Sequence, residues 1–238
     1  MKNLFSFILA IVTIAAVCYG VYKYILPQDQ KMEYKEDFGT SAQDISISAS
    51  LMNIEVKEGD SFAVEYEGSE NLCPECKYDE NSKKLSIIQP EYKPKKRKLT
   101  DENELTLYIP QNAEISKFVL VNNIGDTDLG NLKAQETKMV IDLGSIKAQK
   151  ITTDKLGIEA NLGDVNISKC DCRDINVVAN LGNVELGVEG DLTKYSIAAS
   201  ATLGDLKIGS NEYNNNFVQT GNEGSIKINC SLGNVKIK

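Results

Sequence analysis

Cys73-Pro74-Glu75-Cys76 spaces two thiols as zinc ribbons and thioredoxin-like redox pairs do. A redox CxxC normally opens a helix in a βαβ unit, and the surrounding residues predict none. Zinc would need two further ligands, and the thiols on offer are those of Cys170-Asp171-Cys172. In the repeat columns described below, Cys170 occupies the place of Leu132 and Ile151, and Cys172 that of Ala134 and Thr153, so both read as small buried side chains. Cys230 alternates with Ile226, Ile228 and Leu232 and reads as inward facing too. Cys73 and Cys76 are left as a disulfide or redox pair, or an inert pair, on a projecting loop, and no cofactor or metal is assigned.

Lys93-Pro94-Lys95-Lys96-Arg97-Lys98 puts five cations in six residues on a chain of net charge −8. It reads either as a solvated hairpin or as a contact for an anionic surface, such as anionic lipid or a cell-wall polymer, through Lys93, Lys95, Lys96, Arg97 and Lys98. The overall acidity argues against nucleic acid as a partner. So does the scarcity of arginine, with only Arg97 and Arg173 among 26 basic residues, because bidentate recognition of bases and phosphates needs guanidinium groups. There is no His, which removes Ser-His-Asp and Cys-His nucleophile pairs, imidazole acid–base chemistry and His-ligated zinc from this polypeptide.

The elements that carry these residues follow from a seven-residue phrase: small polar, Leu, Gly, small polar, aliphatic, any residue, aliphatic. Its clearest copies are Asn161-Leu162-Gly163-Asp164-Val165-Asn166-Ile167 and Asn180-Leu181-Gly182-Asn183-Val184-Glu185-Leu186. Others centre on Gly125, Gly144, Gly204, Gly224 and Gly233, at steps of 19, 19, 19, 22, 20 and finally 9 residues through the series. A period near 20 is too long for a heptad and too short for a helix pair. It predicts an all-β, single-stranded β-solenoid of roughly 19–22-residue coils. Like residues then stack in columns, such as Leu132, Ile151 and Cys170, or Thr137, Leu156 and Ile175, or Met139, Ile158 and Val177. The recurring glycine suits a corner that needs positive φ or close approach of the next coil. The Asp or Asn after it (Asp126, Asp164, Asn183, Asp205, Asn234), echoed by Asp142, Asn161 and Asn180, reads as turn chemistry in preference to a calcium or sugar site.

Leu4 to Tyr22 is a run of 19 uncharged residues between Lys2 and Lys23, and as a helix it would reach roughly 28 Å, close to the thickness of a bilayer core. Bulky Tyr19, Val21 and Tyr22 fit an uncleaved anchor better than a signal-peptide cleavage site, and Val17 before Cys18 is unsuited to a lipoprotein. The expected organisation is a transmembrane anchor at 1–24, a stalk at 25–40, an N-terminal hairpin-rich β region at 41–110 with a degenerate first coil, and regular repeats at 111–238. In the first coil Met52 takes the glycine place, and the segments 67–82 and 89–103 are expected to project as loops. A short N-terminal tail before the anchor implies a single-pass membrane protein with its solenoid outside the cytoplasm.

The repeated Leu-Gly-Asp/Asn-Val-x-Ile phrase, the strand from Glu104 to an Ile109-Pro110 end, and the single N-terminal anchor together resemble the bacterial putative-adhesin family, a membrane-anchored domain of unknown function. The resemblance spans residues 38–238 and implies a cell-envelope β-solenoid without agreed catalytic residues. The reading is therefore a non-enzymatic envelope protein, adhesin-like or associated with envelope stress, whose partner is an envelope protein or wall polymer. Two alternatives stand beside it: a carbohydrate-active solenoid enzyme, and a scaffold that self-assembles through an uncapped coil end.

Overall fold

Strands Ile146–Leu162 and Val165–Leu181 pair in parallel along almost their whole length, with each residue opposite the one 19 positions later. The pairing skips residues 149, 154 and 161, so each coil bends three times and contributes to three parallel ladders. This is the period read from the sequence, and its cause is visible in the burial pattern. Leu156, Ile158, Ala160, Val165, Ile167, Cys170 and Cys172 point inward and are almost wholly buried, while the residues between them face solvent. The expected columns are register partners, Leu132 on Ile151 on Cys170 and Met139 on Ile158 on Val177.

The computed structural model describes residues 12–17, 19, 30–92 and 102–238, and the strands among them join in one 20-stranded sheet. Residues 12–17 and 19 are helical, and no helix among the described residues is long and apolar enough to cross a membrane. Most of the expected anchor at 1–24 lies outside the described residues.

Spatial order departs from chain order at both ends. After the strand Val184–Val188 the chain leaves one place empty and lays down Tyr195–Leu203 and Leu206–Ile208. It then doubles back through Asn211–Tyr213 and Asn216–Gln219, which pair antiparallel on those two strands. Finally Gly224–Leu232 and Val235–Ile237 fill the empty place, parallel to Val165–Leu181 and Val184–Val188 on one side and to Tyr195–Leu203 and Leu206–Ile208 on the other. The reversal takes Gly224 out of the corner series. It opens a strand opposite Tyr195, and the corner of that coil is Gly233. The step of 9 residues therefore separates two positions within one coil and does not mark a shortened unit.

The N-terminal end repeats the manoeuvre. Asp44–Ala49 and Asn53–Gly59 form the degenerate coil and pair inward with Lys117–Ile124 and Thr127–Asp128. Outside them, in parallel, lie Lys84–Ile88 and Glu104–Pro110, which come later in the chain. Glu75–Asp79 and Ala63–Ser69 then pair antiparallel on that outer layer, and Lys31–Asp37 pairs antiparallel on Ala63–Ser69. Three expectations are corrected by this arrangement. Residues 31–37 of the expected stalk are a strand of the cap, because alternating Met32 and Tyr34 lie against a sheet edge that would otherwise be open. The segment 67–82 does not project. It packs down through buried Ser69 and Leu72 and through Glu75–Asp79. Neither end of the described solenoid is a bare parallel coil, since antiparallel strands cover both.

Candidate functional site

The repeat corner is the most regular feature of the surface. Gly125, Gly144, Gly163, Gly182 and Gly233 all adopt φ between 131° and 144°. A Cβ at Gly163 would sit 2.0 Å from the carbonyl oxygen of Gly144, and one at Gly182 as close to Gly163, so the glycines stack backbone on backbone. Gly204 stacks on Gly233 in the same way, and Gly233 on Gly182. Met52 ends the series, with its carbonyl beneath Gly125. Buried Asn122 braces that end, donating from Nδ2 to the carbonyl oxygens of Met52 at 2.8 Å and Gly125 at 3.2 Å.

The small polar residue after each glycine fastens one coil to the next. Asn53 Oδ1 accepts from Asp126 N–H, Asp126 Oδ1 from Ser145 N–H, Asp164 Oδ1 from Asn183 N–H, Asn183 Oδ1 from Asn234 N–H, and Asn234 Oδ1 from Asp205 N–H, at 2.7–3.0 Å. The turn reading of these residues is thus refined, because the bonds run between coils. Two residues before the glycine a second row forms, in which Asn180 Nδ2 donates to Asn161 Oδ1 and Asn161 Nδ2 to Asp142 Oδ1.

Between these polar rows stands the leucine of the phrase. Ile124, Leu143, Leu162, Leu181, Leu232 and Leu203 are register neighbours in that order. They are 37, 50, 46, 48, 46 and 66% exposed. At about 4.8 Å per strand the six make a ridge roughly 24 Å long. They expose on the order of 500 Å², toward the upper end of the largest apolar patch on an ordinary monomer. Alternation in the sequence places Leu232 inside, whereas it is exposed. At every position but Leu203 the glycine that follows has positive φ, and it ends the alternation and turns the aliphatic side chain out. The missed signal was its fixed place directly before that glycine.

Beside the ridge, over the ladder that follows the corner glycine, runs a trough of about 540 Å³ lined by Glu55, Glu104, Asp126, Asp128, Lys147 and Asp164 among others. Asp126 and Asp164 are committed to the inter-coil bonds. No group of three His, Cys, Asp or Glu side chains among the described residues could hold a metal ion.

A family model described as Toastrack DUF4097 matches residues 42–238. The chain belongs to that family. Among solved structures, this Toastrack chain is similar to a "putative cell adhesion protein" from Clostridium sporogenes at 17% identity and TM-score 0.54, over 88% of this chain and 99% of that one. It is likewise similar to a "putative adhesin" from Bacteroides fragilis at 16% identity and TM-score 0.54, over 89% of this chain and 100% of the other. At such identities the likeness shows the fold. No curated protein matches the sequence. The family is one of unknown function, and no enzymatic family is indicated.

The remaining sequence candidates of the Toastrack chain fall apart from the ridge. Cys73 and Cys76 are free thiols, half-buried against the core and not on a projecting loop, with Cys76 opposite Ile87 in an edge strand. Burial, and then the Glu70 charge, raises the Cys73 thiol, while burial, Glu36 and Cys73 push Cys76 up to about 12. Neither is poised as a thiolate. Cys170, Cys172 and Cys230 are buried as expected, and Cys170 Sγ lies 2.8 Å from Cys172 Sγ. The contact with Cys172, reinforced by burial, holds the Cys170 thiol far above its ordinary value. Lys93, Lys95, Lys96, Arg97 and Lys98 lie outside the described residues.

Proposed function

We propose that this Toastrack domain is a non-enzymatic interaction module of the bacterial cell envelope, held to the membrane by residues 4–22 and exported, and that the leucine ridge is its contact surface for an envelope protein. The single observation that carries the reading is the ridge. Six neighbouring coils keep an aliphatic side chain outside the core, and the flanking Asx rows are occupied with coil-to-coil bonds, which leaves the apolar line presented on a rigid backing. A rigid ridge loses little conformational entropy when it docks, which favours contact with another protein. The Lys93–Lys98 run is proposed as an accessory contact for anionic lipid or wall polymer.

Sedimentation of the full chain with isolated wall sacculi, either carrying or stripped of their attached proteins, tests this. Replacing Leu143, Leu162 and Leu181 with Gln should weaken association with protein-bearing sacculi by tenfold or more, corresponding to about 1.4 kcal/mol. Association that survives the triple replacement, yet is lost when Lys95, Lys96, Arg97 and Lys98 become Gln, would move the contact to the basic run and overturn the ridge reading. Protease added to intact cells should reach the solenoid, and protection until lysis would overturn the exported topology.

A further inference from the structure

We infer that two copies of this chain join end to end through the strand Asn216–Gln219, an inference that rests on the strand edge alone and not on the ridge. Ala201 N–H donates to Asn215 O at 2.9 Å, and the antiparallel register pairs Ala199 with Phe217 and Ile197 with Gln219. In such a ladder hydrogen-bonded and non-bonded pairs alternate. Phe217 and Gln219 therefore direct their N–H and C=O groups toward Tyr195–Leu203, and Asn216 and Val218 direct theirs to the free edge.

The side chains follow the same alternation. Phe217 packs on the core, its ring centroid 4.4 Å from that of Tyr213, and the two rings lie over the end of the solenoid. Val218 points away and is 80% exposed, the most exposed large hydrophobic side chain among the described residues.

A second copy of the same edge is the occupant that fits. Arranged antiparallel about a two-fold through Phe217, Asn216 of each copy faces Val218 of the other, and both become hydrogen-bonded pairs. The two Phe217 side chains then meet on the core side, and no charge is buried on the paired strand. Pairing with the opposite end is disfavoured by composition. Lys31–Asp37 carries five charged residues in seven and Glu75–Asp79 three in five, whereas Asn216–Gln219 carries none. Charged edge strands resist pairing because their side chains lose hydration in the joint.

Sedimentation equilibrium of the full chain in non-ionic detergent, over about 1–100 µM, reads the mass directly. The wild-type chain should pass from monomer to dimer. Val218→Lys should weaken the dimer at least about tenfold with an unchanged melting temperature, because the side chain is already in solvent. Val218→Thr, still β-branched and uncharged, should retain the dimer. A monomer throughout the range overturns the proposal, as does a dimer indifferent to Val218→Lys.

Discussion

The two ends of the solenoid solve one problem by different means. Each must close a stack of parallel coils, and each does so by sending the chain past a place that another segment occupies and capping the outer layer with antiparallel strands. At the N-terminal end the closure is built from buried polar side chains. Gln89, almost wholly buried, accepts from the N–H groups of Ser50 and Leu51 and donates to the Leu51 carbonyl, standing in for the coil that the corner lacks. Asn103 Oδ1 accepts from the Tyr66 hydroxyl and from Ser69 N–H, and the outermost strands are charged. At the other end Tyr213 and Phe217 close the core and the last strand is neutral. The difference shows that capping a core and protecting an edge are separable tasks. The first end does both, and the second does only the first.

The largest test of this contrast uses glycine. Gly233, in the coil that fills the vacant place, would put a Cβ 2.0 Å from the Gly182 carbonyl oxygen, whereas Gly39 near the N-terminal cap has nothing within 4 Å of its missing Cβ. Gly233→Ala should cost several kcal/mol in urea melts, of order 4 or more, and Gly163→Val at least as much. Gly39→Ala should cost about 1–2 kcal/mol, from its positive φ alone. Equal losses at Gly233 and Gly39 would mean that coil spacing does not set the stability of the inserted coil.

A middle-sized effect separates the caps themselves. Asn103→Ala leaves the buried Ser69 N–H without its partner and should cost about 1–3 kcal/mol, while Asn216→Ala on the exposed edge should stay within about 0.5 kcal/mol. Chemical denaturation of the two variants checks this, and similar losses would erase the distinction between a buried polar cap and an open edge.

The smallest effect is in pH. Burial, with Glu36 and Cys73, pushes the Cys76 thiol up from its ordinary 9.0 to about 12 in the folded chain. A raised value of this kind contributes stability that is complete below pH 9.0 and is lost as pH rises toward 12. Urea midpoints should therefore fall between about pH 9 and pH 10.5, and Cys76→Ala should reduce the fall. Cys230, near the other end and also raised by burial, should reduce it less when replaced. An alkaline slope unchanged by Cys76→Ala would place the loss elsewhere.

Much of the array was legible because burial in a solenoid repeats. A residue such as Ile158 has Met139 and Val177 above and below it, so period and column follow from the chain alone. The order of the last coils was not legible for the same reason. Ile175, Ile226 and Ile197 share one column, and the inward pattern is satisfied whichever of the later two lies next to the first. The corner glycines and Asx residues could be read, but the outward turn of the leucines could not, since alternation carries no mark of where a positive φ interrupts it. The CxxC looked like loop chemistry because its Pro and charges resemble a turn, and only the pairing of Glu75–Asp79 with Lys84–Ile88 reveals a packed edge.

The shared isoleucine column has a consequence for biogenesis. As the polypeptide emerges, residues 195–208 are made before 224–238, and their inward side chains match the column that 174–188 offers. The nearer site is thus available to the wrong coil first, whereas in the native order that coil stands one layer off with its successor between them. Strand 174–181 finally meets partners 51 residues later in the chain, although a compatible partner lay only 22 away. Closing the longer loop carries a modest entropic cost, but the early match must be undone or avoided. The order in which this solenoid is written and the order in which its coils stack are different, and they part at this layer.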